Sequence, residues 1–179
     1  MTRKPAPQVR PATPADAALL PAVERSAGEL FRTLPELGWL AEGEPISEAR
    51  HRQWIASGTV WVAVDADDIP VGFLDAEVFG DALHVWEMSV HGRWQGKGIG
   101  RALLDTASSH ARDVGLARLT LTTFRDVPWN APYYVRMGFA CIDADSLCAR
   151  LRAVLDDEIA AGLPGAWRCA MQRLVGEPD

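Results

Sequence analysis

Apolar residues change period along this chain, and each change marks an element. Leu19, Leu20, Val23, Ala27 and Leu30 recur at helical spacing, which predicts a helix running to about Phe31. Thr13-Pro14-Ala15-Asp16 reads as its start: Thr13 as N-cap, Pro14 at the first helical position, Asp16 in the first turn. Residues 33–46 contain Pro35, Gly38, Gly43 and Pro45 and read as an irregular loop. Ser47 caps a second helix that runs to about Ala56 and stops at Gly58.

Beyond Gly58 the period shortens. Residues 59–64, 71–79 and 83–90 are β-branched and aromatic runs, divided by the turns Asp67-Asp68 and Gly80-Asp81. Such short connections predict an antiparallel meander. A helix over 99–114, closed by Gly115, then leads to a strand over 119–124. That helix is long enough for a crossover, so this strand can lie parallel to its predecessor. A short helix over 130–137 tolerates Pro132 in its first turn and ends at Gly138. A strand over 139–142, a helix from a Ser146 cap to about Ala161, and a strand over 167–175 complete the chain. Val9-Arg10 adds a short early strand, and residues 1–7 read as a loose tail. The pattern predicts an α+β (mixed α/β) fold, one domain over 8–175, with helices on both faces of one sheet.

Composition narrows the function classes. The 179 residues suffice for one continuous core, and a net charge of −6 argues against a nucleic-acid binder, which needs a basic face. No apolar run reaches the ~20 residues of a membrane helix, and the N-terminus lacks a signal-peptide core, so a cytoplasmic location is expected. Cys141, Cys148 and Cys169 match no metal-ligand spacing and are expected to be small buried residues; no metal is expected.

The chemistry concentrates at Gln95-Gly96-Lys97-Gly98-Ile99-Gly100-Arg101, between a strand and a helix. A glycine turn there offers backbone N–H groups at a helix N-terminus, which suits phosphate. A P-loop needs four residues before its Gly-Lys pair; between Gly92 and Gly96 there are three. A dinucleotide fingerprint needs a glycine where Arg101 stands, near the first strand of its unit. Instead, Gln95-x-x-Gly98-x-Gly100 after Trp86-Glu87-Met88-Ser89-Val90 resembles the acyl-CoA signature of the GNAT acetyltransferase superfamily. A second block, Asn130-Ala131-Pro132-Tyr133-Tyr134-Val135-Arg136-Met137-Gly138-Phe139, is similar to that family's Asn…Tyr-x-x-x-Gly-Phe segment, in the same order. The resemblance covers about residues 8–175 and implies a mostly antiparallel central sheet of six to seven strands. One departure is Gly92, where the family often has proline.

The resemblance implies acetyl-CoA as cosubstrate and direct acetyl transfer to an amine of a small molecule or peptide. Backbone groups of Gly96, Lys97, Gly98, Ile99, Gly100 and Arg101, following Gln95, would hold the CoA pyrophosphate. Met88, Ser89 and Val90 would pair with the pantetheine arm, one N–H polarising the thioester carbonyl. Asn130 would bond the pantetheine or cap the helix after it. Tyr134 stands at the family's general-acid position, where a phenol suits the leaving thiolate. Glu87, a carboxylate in an apolar strand, is the first candidate base. His84, three residues away and so on the opposite face, is the second, and Glu77 the third. The acceptor would meet the first two helices and their loop, where Phe31 and Trp39 offer aromatic surface and Glu29, Glu42 and Glu44 negative charge. The acidic run Asp156-Asp157-Glu158 reads as a solvated face, and a homodimer is possible through the 145–165 segment. A binding module that holds CoA without turnover is the alternative reading.

Overall fold

The computed structural model describes residues 7–176. The expected tail over 1–7 therefore falls almost wholly outside the described residues. Seven strands form one sheet, in the order β1-β2-β3-β4-β5-β7-β6: β1 Gln8–Pro11, β2 Val60–Val64, β3 Pro70–Phe79, β4 Ala82–Val90, β5 Arg118–Phe124, β6 Ala140–Cys141 and β7 Arg168–Leu174. Five α-helices lie among the described residues: α1 Leu20–Gly28, α2 Glu48–Ser57, α3 Ile99–Asp113, α4 Ala131–Arg136 and α5 Ala149–Ala160. β1–β2, β2–β3, β5–β7 and β6–β7 are antiparallel, and β4–β5 is parallel, so the crossover through α3 is as the sequence predicts.

The chain divides into two compact units, one holding the described residues up to Glu77 with Glu87–Ala107, the other Val78–Trp86 with the residues from Ser108 onward. The first unit begins on an interaction read backwards from sequence. Thr13 does not cap a helix; its N–H and its hydroxyl both donate to Asp16 Oδ2, at 2.6 and 2.9 Å. Asp16 also takes two bonds from the Arg10 guanidinium, which with Thr13 outweigh the burial that would raise its carboxyl and hold it below the usual range. A 3-10 turn, Asp16–Ala18, precedes the α-helix, which runs Leu20–Gly28 and is followed by a second 3-10 turn, Glu29–Thr33. The expected loop over 33–46 contains a 3-10 turn, Gly38–Glu42. α2 follows its prediction: Ser47 Oγ accepts the Arg50 N–H at 3.2 Å, Gly58 ends it at φ 80°, and His51, Trp54 and Ile55 form its buried face. Gly72 on β3 lets β4 come close; a Cβ there would stand 3.2 Å from the Ser89 carbonyl and 3.1 Å from Ile99.

In the second unit, β5 runs beside β4 from Ala82–Arg118 to Val85–Leu121 and beside β7 along its whole length. α5 begins at Ala149, not at a Ser146 cap, since Ser146 is taken up in a 3-10 turn, Ala144–Ser146. The acidic run is solvated only in part. Asp156 and Asp157 are exposed, but Glu158 turns inward, taking the Arg168 guanidinium at 2.8 and 2.9 Å and the Thr122 hydroxyl at 2.5 Å, which ties α5 to β5 and β7. The cysteines also depart from expectation: Cys169 is buried, while Cys141 and Cys148 are exposed, since β6 is the sheet's edge strand and Cys148 precedes α5. Among the described residues no helix is long and apolar enough to cross a membrane.

Candidate active site

Within the first unit, the end of β4 and the turn after it are tied down by hydrogen bonds. Gln95 Nε2 donates to the Val90 carbonyl at 3.0 Å, so this side chain clasps the end of β4 to the turn. His91 Nδ1 accepts the Arg93 N–H, and the Gly92 N–H donates to Ser26 Oγ on α1 at 3.0 Å. Proline has no N–H, so Gly92 exchanges ring stiffness for a bond that fixes the turn to α1. Gly96 and Gly98 stand at φ 72° and 81°, where side chains are strained, and open space faces the position of each missing Cβ. The first intrahelical bond runs from Ala102 N–H to the Gly98 carbonyl. The N–H groups of Ile99, Gly100 and Arg101 precede it and have no acceptor within the helix. Lys97 is exposed, its Nζ 4.6 Å from the Trp94 ring centre; Arg101 is exposed as well.

Glu87, Met88, Ser89 and Val90 lie just past the parallel ladder that β4 makes with β5, which covers Ala82–Val85. Met88, Val90 and Glu87 are half-buried and Ser89 is buried. Glu87 Oε1 accepts the Ser89 hydroxyl at 2.8 Å. Burial pushes its carboxyl up; the Ser89 bond opposes this, the charge of Asp75 adds to it, and His51 pulls back.

Three further ionisable side chains, none in either sequence motif, interact electrostatically with Glu87. Glu24 on α1 accepts the Ile46 N–H at 2.9 Å; burial, then the charge of Glu87, push its carboxyl up to about 8. Asp75 on β3 and His51 on α2 are fully buried, with Oδ2 and Nδ1 2.9 Å apart. Burial raises the Asp75 carboxyl against the pull of His51. The signal was present in sequence: Asp75 interrupts the apolar run 71–79 as Glu87 interrupts 83–90. Among the described residues no three such side chains converge as metal ligands would.

The other acceptor-side predictions fare differently. Trp39 is 50% exposed and Phe31 half-buried. Arg32 already binds Glu29 at 2.8 Å and Glu42 at 3.2 Å, so those carboxylates carry a cation of their own.

The second unit holds Asn130 and Tyr134. Asn130 does not cap α4 with its side chain, and its Oδ1 is buried without a hydrogen-bond partner among the described residues. Tyr134 is 8% exposed, with its ring edge-on to Phe139 and Tyr133, both at 5.5 Å. His84 is fully buried, with Nδ1 3.0 Å from Thr120 Oγ1 and its ring 4.6 Å from that of Trp86. Burial, then the Arg150 charge, lower its imidazole to about 3.

Residues 26–139 match the model of the Acetyltransferase (GNAT) family. The chain is 33% identical over 123 residues to an aminoglycoside N(6')-acetyltransferase type 1 of Stenotrophomonas maltophilia, covering 64% of this chain and 73% of that one. It is 35% identical over 89 residues to a mycothiol acetyltransferase of Nocardiopsis dassonvillei, covering 50% of this chain but only 26% of that one. The fold matches that of the PaiA N-acetyltransferase of Thermoplasma acidophilum, solved with coenzyme A, at a TM-score of 0.69 and 17% identity over 95% of this chain and 99% of the other.

Proposed function

This chain belongs to the GNAT acetyltransferase family and is an acetyl-CoA-dependent N-acetyltransferase, and from that premise we propose how its residues divide the reaction. The observation that carries the reading is the turn after β4. Two glycines in the left-handed region, facing open space ahead of unpaired helix-start N–H groups, fit a pyrophosphate. The buried, unpartnered Asn130 Oδ1 fits an amide N–H of the pantetheine arm. Backbone N–H groups of Met88–Val90 meet the rest of that arm, and one of them polarises the thioester carbonyl.

The amine nitrogen forms a bond to the acetyl carbon while the carbon–sulfur bond breaks. Glu87 takes the amine's proton, directly or through water, and its raised carboxyl suits that task. Tyr134 gives a proton to the leaving sulfur. Departure of bare thiolate is the slower path. The acceptor is an amine whose body meets Trp39, an exposed ring suited to a cationic or apolar group. The Stenotrophomonas relative, an aminoglycoside acetyltransferase, agrees with such an acceptor.

The test combines calorimetric titration with acetyl-CoA and a thiol-release assay over a panel of cationic amines. Micromolar to millimolar binding and turnover of at least one amine are expected. No binding at millimolar acetyl-CoA would refute the donor site. Tyr134→Phe is expected to lower kcat by roughly 10²–10⁴; an unchanged kcat would remove it from the acid role.

A further inference from the structure

The position of Tyr134 is set by the way its helix ends. α4 closes in a Schellman turn: the Phe139 N–H donates to the Tyr134 carbonyl at 3.0 Å, the Gly138 N–H donates to the Val135 carbonyl at 3.0 Å, and Gly138 stands at φ 85°. Such a turn brings the side chains at its two ends together. Here they are Tyr134 and Phe139, with ring centres 5.5 Å apart. The interval Tyr-x-x-x-Gly-Phe is thus the length of this turn.

One residue of β7 reaches the turn through three contacts. Arg173 Nη1 donates to the Met137 carbonyl at 2.9 Å, beyond the helix's own donors. Its guanidinium lies over the Phe139 ring, 5.3 Å from the centre. Its stem runs past Gly138, where a Cβ would stand 3.4 Å from Arg173 Cδ. The strand that follows the turn, β6, is two residues long, paired at Ala140–Gln172 and Cys141–Met171, so few strand bonds anchor it. A planar guanidinium can bond a carbonyl and cover a ring at once, which an ammonium does less well. We propose that Arg173 is a positioning residue for Tyr134: by fixing the Met137 carbonyl and the Phe139 ring, it holds the phenol in the orientation that proton transfer to sulfur needs. This rests on the reading of Tyr134 as the acid. The phenol proton passes to sulfur as the carbon–sulfur bond breaks, and water returns a proton to the phenolate.

Two acyl donors read that step separately. Acetyl-CoA needs a proton at sulfur, whereas its selenoester analogue, acetyl-seleno-CoA, releases a selenolate that leaves without one. Arg173→Leu is expected to lower kcat with acetyl-CoA by about 10–100-fold and kcat with the selenoester by less than about threefold. Equal losses with both esters would make Arg173 a brace for the fold and overturn the proposal, as would no loss at all. Should Arg173→Leu fail to fold, Arg173→Lys decides: it keeps the charge and a donor, and the same selective loss is expected at roughly three- to tenfold. An Arg173→Lys protein with no selective loss overturns the proposal. In a Tyr134→Phe background either Arg173 substitution should cost nothing more, because both act on one step; a further loss of full size overturns the proposal. Tyr134→Phe at the parent kcat on acetyl-CoA overturns the acid reading and this proposal together. A selective loss in Tyr134→Phe, with none in the Arg173 variants, overturns this proposal alone.

Discussion

The proposed donor turn and the acidic cluster sit in the same compact unit and are built in opposite ways. The turn is one stretch of chain, Val90 to Arg101, and the groups it offers are mostly backbone N–H. The cluster draws one side chain each from α1, α2, β3 and β4: Glu24, His51, Asp75 and Glu87. A phosphate needs donors at fixed spacing, which glycines and a helix start supply whatever the neighbours are. Removing a proton from an amine needs a carboxyl tuned by its surroundings, and those come from distant points of the sequence. A donor can thus be held by a local motif, whereas tuning a base draws on side chains from several elements.

Two substitutions set the halves against each other. Glu87→Gln removes the proposed proton acceptor and keeps the Ser89 hydroxyl within reach of an oxygen. We expect kcat to fall by roughly 10²–10⁴ while the affinity for acetyl-CoA stays within twofold. Steady-state kinetics with calorimetry would separate the two, and a large loss of acetyl-CoA affinity would break the division. Gly98→Val is the mirror case. A β-branched residue at φ 81° costs about 1–2 kcal/mol, so the loop relaxes and acetyl-CoA binds about tenfold more weakly, with the acceptor KM unchanged. A rise in the acceptor KM alone would show that the turn is not a donor element.

The same contrast explains what sequence could and could not reveal. The strands 60–64 and 118–124, the crossover helix and the glycine turn follow from periodicity and local spacing, because their causes lie within a few residues. Gln95 belonged to a recognisable motif, yet its bond to the Val90 carbonyl became visible only with the backbone in place. Asp16 inverted the expected cap because its partner Arg10 comes from β1, outside any helix-start rule. Glu29 and Glu42 read as available acidic contacts in sequence, but Arg32 pairs with both. Asp75, one polar residue in an apolar strand, and His51, one histidine on a helix, singly carry no signal of their pairing in sequence; folding brings them to 2.9 Å.

The smallest expected effect tests whether Glu24 belongs to the cluster energetically as well as spatially. Its carboxyl is raised from 4.5 to about 8, by burial first and the charge of Glu87 second. The unfolded chain releases that proton near the ordinary carboxylate range, whereas the folded protein keeps it until about 8. Between those values the folded state binds more protons, so stability falls as pH rises and levels off above the folded value. This contribution is therefore fully present below about 4.5 and lost as pH passes through about 8. Melting curves of the parent from pH 6 to pH 9 should show Tm decreasing, and Glu24→Gln, which accepts the Ile46 N–H but does not ionise, should flatten that slope. Glu87 contributes a slope of the same sign, since its carboxyl is also raised, so the double variant should be flatter than either single one. Additive flattening would mean that the two carboxyls titrate independently; flattening by the first substitution alone would mean that they share a proton, binding the acidic cluster into one unit as tightly as the Gln95 clasp binds the donor turn.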